Sequence, residues 1–341
     1  MTGILLVNLG TPASPRVADV RRYLREFLGD PRVIDLPAPA RWLFLHLLIL
    51  PFRPRRSAAA YAQVWLPGGS PLLVHGRALQ AALAAELGAG SSVELAMRYG
   101  APSIGAGLAR LAGAGVERIV ALPLFPQFSE AATGSARARI QEEWERLPSA
   151  PPLEIRGDFF SDRGFLEAWA AVAAPVLASF RPDHVLMSYH GLPERQLRAA
   201  DPSGTHCLSS PRCCDAPGAL RRPCYRAQCF ATTRALAPLL GLGSAAHSLS
   251  FQSRLGRTPW IGPHTDRVLP ELAARGVRRL AVVCPSFVAD CLETLEEIGI
   301  RARDQWRALG GEELRLIPSL NAHPAWVRAV RGILQREPDR R

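Results

Sequence analysis

The stretch Arg118-Ile-Val-Ala-Leu-Pro-Leu-Phe125 has a counterpart in Arg279-Leu-Ala-Val-Val-Cys-Pro-Ser-Phe287. Each is an apolar run opened by arginine and ended at a proline, with a phenylalanine just beyond. Short continuous apolar runs bounded by turn formers are the pattern of strands buried on both faces, as in parallel sheets covered by helices. Working outward, six more runs of this kind complete a set of strands over 3–8, 93–99, 118–124, 153–157, 184–189, 245–251, 279–284 and 314–318. Amphipathic stretches fill the intervals, over 17–28, 74–87, 103–111, 133–146, 165–180, 224–239, 266–274 and 290–309, with a last helix over 325–335. Strands alternating with helices predict an α/β fold. Four strands fall in each half, so the echo predicts two similar Rossmann-like halves, 1–175 and 176–341. Each is expected to be a four-stranded parallel sheet flanked by helices. A cleft is expected between them, and the last helix is free to pack back on the first half.

Composition removes whole classes of chemistry. The 341 residues suit two domains. All 41 basic residues are arginine, against 30 acidic ones, for a net charge of +11. With no lysine, a Schiff-base or pyridoxal-phosphate (PLP) mechanism is excluded, and so is a Walker-A phosphate loop. No Gly-x-Gly-x-x-Gly follows a strand, so no nucleotide is expected. No arginine run carries interleaved aromatics, so no nucleic acid is expected either. The first ten residues read as a buried strand rather than a signal peptide. The longest apolar candidate, 42–52, is broken by His46 and Pro51 and falls short of the ~20 residues of a membrane span. Cysteine use points to a reducing, cytoplasmic location.

Ligands of such folds gather beyond the carboxyl ends of the strands, which directs attention to four features. His190 ends the run 184–189 and precedes Gly191, a glycine permitting a sharp turn; it reads as a base, a metal ligand or a turn-capping histidine. Asp290, Glu293 and Glu297 follow the strand at 279–284 and would share one α-helical face. They read as a solvated first turn or as a relay for protons or a divalent cation. Cys207, Cys213, Cys214, Cys224 and Cys229 place five of the seven cysteines within 23 residues, in a loop over 202–224 rich in proline and glycine. Thiols at that density point to zinc or an iron–sulfur cluster. Finally, the apolar segment 42–50 runs into Arg53, Arg55 and Arg56. It reads as a buried helix, or as an apolar lip over 40–56 that rests on a membrane and admits an amphipathic anion.

Together these motifs resemble the ferrochelatase family over nearly the whole chain. The resemblance is carried by Leu6-Val-Asn-Leu-Gly-Thr-Pro12, Gly69-Ser-Pro-Leu72, Met97-Arg-Tyr-Gly100, Leu122-Pro-Leu-Phe-Pro-Gln-Phe-Ser129, Ser188-Tyr-His-Gly-Leu-Pro193, Phe251-Gln-Ser253, Pro259-Trp-Ile-Gly-Pro263 and Leu292-Glu-Thr-Leu-Glu-Glu297. It implies insertion of ferrous iron, as substrate, into protoporphyrin IX to give protoheme. The alternatives are a coproporphyrin III chelatase and a non-catalytic heme or metal carrier. It further implies His190 as the active-site histidine, a proton acceptor or iron ligand, with Glu293 as its partner carboxylate and Asp290 and Glu297 extending an acidic path. Ser70, Arg98, Tyr99 and Trp260 are implied as porphyrin-binding. Arg53 and Arg55 stand where the family's propionate-binding or membrane-lip basic residues lie. Two departures stand out. Cys291 occupies a position held by histidine in some members. Glu130 replaces the cysteine that cluster-binding members carry there, and the chain ends without cysteines. The resemblance to bacterial members with internal cysteines implies a 2Fe–2S cluster on Cys207, Cys213, Cys214 and Cys224, with Cys229 as an alternative ligand.

Overall fold

The computed structural model describes residues 1–210, 212–215, 224–256 and 258–336. Pro211, Pro217, Gly218 and Pro223 of the cysteine-rich loop lie outside them. Among the described residues eight strands are present: β1 Thr2–Thr11, β2 Ser91–Gly100, β3 Arg118–Pro123, β4 Leu153–Ile155, β5 His184–His190, β6 His247–Gln252, β7 Arg279–Val283 and β8 Glu313–Leu316. Twelve α-helices accompany them there. They are α1 Val17–Gly29, α2 Ala38–Leu43, α3 Arg53–Val64, α4 Pro71–Leu87, α5 Ile104–Gly113, α6 Ser135–Glu145, α7 Arg163–Phe180, α8 Glu194–Ala199, α9 Tyr225–Leu239, α10 Thr265–Ala274, α11 Arg303–Ala308 and α12 Pro324–Gln335.

The strands form two four-stranded sheets, ordered β2-β1-β3-β4 and β6-β5-β7-β8, and every pairing is parallel. Adding four to each label of the first order yields the second. The two halves therefore repeat one topology, and the echoed runs of the sequence, β3 and β7, occupy the same place in each. The repeat extends to the loops. Met97 N donates to Pro102 O, and Phe251 N to Pro263 O, both at 2.7 Å.

Contacts divide the chain into two compact units. One comprises Met1–Phe125, Glu130–Asp158 and the chain from Val327 on; the other comprises Pro126–Ser129 and Phe159–Trp326. In the first, Leu5 and Val7 of β1 and Ala121 of β3 are fully buried against Leu108 and Leu111 of α5. α12 is tied there by Arg331 to Glu86 at 2.6 Å, and by Arg156 Nη2 to the Leu334 carbonyl at 2.5 Å. In the second, Leu186, Leu280 and Val282 pack against Leu269 and Trp306. Burial of aliphatic strands on both sides accounts for their continuous apolar runs, since no face is left for polar alternation.

Local signals explain most boundaries. Ser70 accepts from Leu73 N and Pro71 sits at the first helical position, so α4 starts where it does. Ser103 caps α5 and Asp162 caps α7 in the same way. Two expectations are corrected. The helix read over 290–309 is a π-helix, Glu293–Ala302, continuing into α11, because the backbone there bonds five residues apart rather than four. The segment 42–50 is not a buried helix: α2 passes into a π-helical turn, Phe44–Ile49, that leaves much of its apolar surface outside.

Candidate active site

β5 runs buried for six residues and releases His190 at its end, partly exposed. His190 Nδ1 lies 2.6 Å from the Gly191 carbonyl. A carbonyl only accepts, so Nδ1 carries a proton, which in the neutral ring leaves the lone pair on Nε2. The ring stands 6.5 Å from Trp260 and 6.2 Å from Phe287, centroid to centroid. Its backbone is held at both polar atoms: His190 N donates to Ser286 Oγ at 3.1 Å, and Tyr225 Oη donates to His190 O at 2.7 Å.

Gly191 is needed for room rather than for the sharp turn expected of it. A Cβ there would lie 2.8 Å from Gln252 O and 3.2 Å from the Trp260 ring, and Gly191 N already donates to that carbonyl at 2.8 Å. Gln252 stands beside His190 in the β5–β6 register. Its Oε1 accepts from Ser188 Oγ at 2.7 Å, and its Nε2 donates to Glu293 O at 2.7 Å. One buried amide thus joins the histidine strand to the acidic segment. Sequence reasoning quoted Phe251-Gln-Ser253 as a motif but gave Gln252 no role.

The three acidic residues do not share the α-helical face expected of them, because the helix is of π type. Asp290 precedes it and is buried. Its Oδ1 accepts from Thr294 Oγ1 at 3.0 Å and Ser319 N at 3.2 Å, and its Oδ2 from Asn321 Nδ2 at 2.8 Å. Glu293 opens the π-helix. Burial and the adjacent Glu293 carboxylate push the Cys291 thiol well above its ordinary value, so it stays protonated. Glu297 accepts from Ser253 N at 2.8 Å and Ser253 Oγ at 2.5 Å, while Ser253 adopts a left-handed φ of 68°. His190, Glu293, Glu297, Asp290 and Trp260 therefore all lie in one unit, knit by backbone hydrogen bonds.

In the other unit Arg98 donates to Asp30 Oδ2 at 2.6 Å and to Ser135 Oγ at 2.7 Å, and Tyr99 Oη donates to the same Asp30 oxygen at 2.9 Å. Burial pushes the Asp30 carboxyl up, but bonds from Ser135, Arg32 N and Tyr99 and the Arg98 charge outweigh it and hold the pKa low. Tyr99 and Ser70 are buried, each hydroxyl engaged within the fold. The neighbouring segment is the reverse. Trp42 is 58% exposed, Leu47 56%, Leu48 59% and Phe52 73%. Arg53 is partly exposed and Arg55 exposed at the start of α3.

Four cysteines meet at the start of α9. Cys213 Sγ lies 3.9 Å from Cys214 Sγ, and Cys224 packs against both. The Cys214 thiol lowers the Cys224 pKa; burial raises that of Cys207. Arg226 Nη1 sits 3.1 Å from Cys214 Sγ and 4.0 Å from Cys213 Sγ. Asp201 organises the approach, accepting from His206 N and Cys207 N at 2.8 Å each. Cys229 is buried one turn on and bonds Tyr225 instead. Among the described residues, no three or more His, Cys, Asp or Glu converge as a cage for a single metal ion.

The family model for ferrochelatase matches residues 1–337. Ferrochelatase of Azotobacter vinelandii (strain DJ / ATCC BAA-1303) is 54% identical over 332 residues, covering 96% of each chain. Ferrochelatase of Stutzerimonas stutzeri (strain A1501) is 49% identical over 340 residues, covering 98% of each. That of Coxiella burnetii (strain CbuK_Q154) is 48% identical over 328 residues, covering 96% of this chain and 91% of the relative. Among solved structures, SirB from Bacillus subtilis with Fe3+ superposes with a TM-score of 0.51 at 13% identity, covering 98% of this chain and 96% of that one. That likeness concerns the fold.

Proposed function

The chain belongs to the ferrochelatase family, and from this we infer that it inserts ferrous iron into protoporphyrin IX to form protoheme, the closing step of heme synthesis. Iron and porphyrin are its substrates. The reaction must remove two pyrrole protons and strip water from the metal, and neither task needs an amine or a nucleotide.

We assign those tasks as follows. His190 presents Nε2, the nitrogen left free by the Nδ1–H bond to the Gly191 carbonyl, as proton acceptor or transient iron ligand. That single observation carries the assignment. Glu293 is its partner carboxylate, held through its backbone by Gln252 and set beside the protonated Cys291 thiol. Glu297 extends the acidic path, and Asp290 anchors the turn at Ser319 and Asn321. Trp260 faces the macrocycle beside His190, and Arg53 and Arg55 take its carboxylates as guanidinium forks. Ser70, Arg98 and Tyr99 are read as porphyrin-binding, each held in place by its own bonds. The chain is read as cytoplasmic. The exposed Trp42, Leu47, Leu48 and Phe52, with arginines alongside, are read as a peripheral membrane contact. No described helix is long and apolar enough to cross a membrane.

A 2Fe–2S cluster on Cys207, Cys213, Cys214 and Cys224 is part of this reading. The donor set fits: four thiols, with a guanidinium on two sulfurs to offset the anionic charge of bound thiolates. When bound, such a group supplies one-electron chemistry and a rigid cross-link. Anaerobically purified protein should be brown, with absorption bands of a 2Fe–2S centre; colourless protein, or protein holding zinc, contradicts this. Substrate choice is settled by assaying protoporphyrin and coproporphyrin side by side. The reading predicts faster turnover of protoporphyrin, and faster turnover of coproporphyrin overturns it.

A further inference from the structure

Cys224 is followed directly by Tyr225 and Arg226, and the three reach different places. Cys224 packs against Cys213 and Cys214, and its thiol and that of Cys207 shift one another's pKa. Tyr225 donates its hydroxyl to the His190 carbonyl at 2.7 Å. Arg226 places Nη1 3.1 Å from Cys214 Sγ and donates through Nε to Gly262 O at 3.5 Å, two residues past Trp260. These residues open α9, where Gln228 N donates to Cys224 O at 3.1 Å. A bonded first turn moves as one body, so a displacement of Cys224 carries Tyr225 and Arg226 with it.

We propose that Cys224, Tyr225 and Arg226 form a coupling element that transmits the occupancy and charge of the thiol group to the chelation site. Ligation of Cys224 fixes the first turn of α9. The fixed turn keeps Tyr225 on the His190 backbone and Arg226 on the loop that carries Trp260. Tyr225 and Arg226 are positioning residues. The inference rests on the iron–sulfur reading above and adds a purpose to it.

Coupling between two sites is reciprocal. If the cluster's charge state alters the hold on His190 and Trp260, porphyrin binding must alter the cluster's reduction potential. Hydrogen bonds to cluster sulfurs set that potential, which makes Arg226 the electrostatic arm and Tyr225 the mechanical one.

The test is a redox titration of the anaerobically purified full chain, followed by visible absorption, with and without metal-free protoporphyrin. In the unaltered protein the midpoint should shift on porphyrin binding, corresponding to about a fivefold or larger difference in porphyrin affinity between the two cluster states. Arg226→Gln should lower the potential and abolish the shift. Tyr225→Phe should keep the spectrum and the porphyrin-free potential but lose the shift. An intact cluster whose potential ignores porphyrin overturns the coupling and leaves the cluster reading standing. A shift that survives Tyr225→Phe removes the mechanical arm. Protein without cluster absorption overturns the cluster reading and the coupling with it.

Discussion

At the scale of single residues, chemistry and support separate. The place of His190 was legible in the sequence, since it closes an apolar strand run, and it ends β5. What holds it was not legible: Tyr225, Ser286 and Gln252 come from three distant segments, and no spacing pattern joins them. Gly191 makes the dependence testable. Gly191→Ala would press a Cβ to 2.8 Å from a backbone carbonyl that cannot swing aside. It should lower kcat by about tenfold or more while costing roughly 1–3 kcal/mol of stability, read by steady-state kinetics and denaturant titration. Asp30 tests support in the other unit. Removing its charge leaves Arg98 buried without its partner, so Asp30→Asn should destabilise by about 3 kcal/mol. Because the folded pKa of Asp30 is held below its unfolded value, its contribution is full above the ordinary carboxylate pKa near 4 and is lost as pH falls through the folded one. Urea melts at pH 7 and pH 3 should therefore show a smaller loss between the two for Asp30→Asn than for the unaltered protein.

At the scale of elements, the strands were read to within about three residues at either end, while α3 and α8 went unread. A parallel strand buried on both faces has one pattern, and it is visible without knowing its neighbours. The π-helix Glu293–Ala302 has none of its own: its periodicity over so short a run passes for an α-helix, and its first carbonyl, Glu293 O, is taken by Gln252 from a distant strand. The same holds for the turn at Phe44–Ile49, whose apolar residues look like core in a sequence. Its exposure leads to a prediction. Replacing Leu47, Leu48 and Phe52 together by serine should weaken binding to anionic phospholipid vesicles by about tenfold or more, since each buried apolar side chain is worth roughly 1.5–3 kcal/mol. Turnover of detergent-solubilised porphyrin should hardly change. Cosedimentation separates the two effects, and undiminished vesicle binding contradicts the lip.

At the scale of the whole molecule, an apolar echo between 118–125 and 279–287 indicated two halves of one topology, and strand order bears this out. The echo's deeper repeats escaped notice because they reside in hydrogen bonds, such as those to the carbonyls of Pro102 and Pro263, rather than in matching letters. The absence of lysine excluded amine chemistry and a Walker-A loop, while the net charge of +11 excluded nothing. That charge implies that vesicle binding should fall as salt rises, since surface charges are screened beyond about 8 Å at physiological ionic strength. The claim on which all else depends is the reaction itself. The most direct test is anaerobic incubation of the full chain with protoporphyrin IX and ferrous iron, following the loss of free-base porphyrin fluorescence and the rise of heme absorption. The account predicts catalytic turnover by the unaltered protein and a loss of at least about a hundredfold in His190→Ala, the order expected for a positioned acid–base group. Porphyrin binding without turnover, or undiminished turnover by His190→Ala, would contradict it.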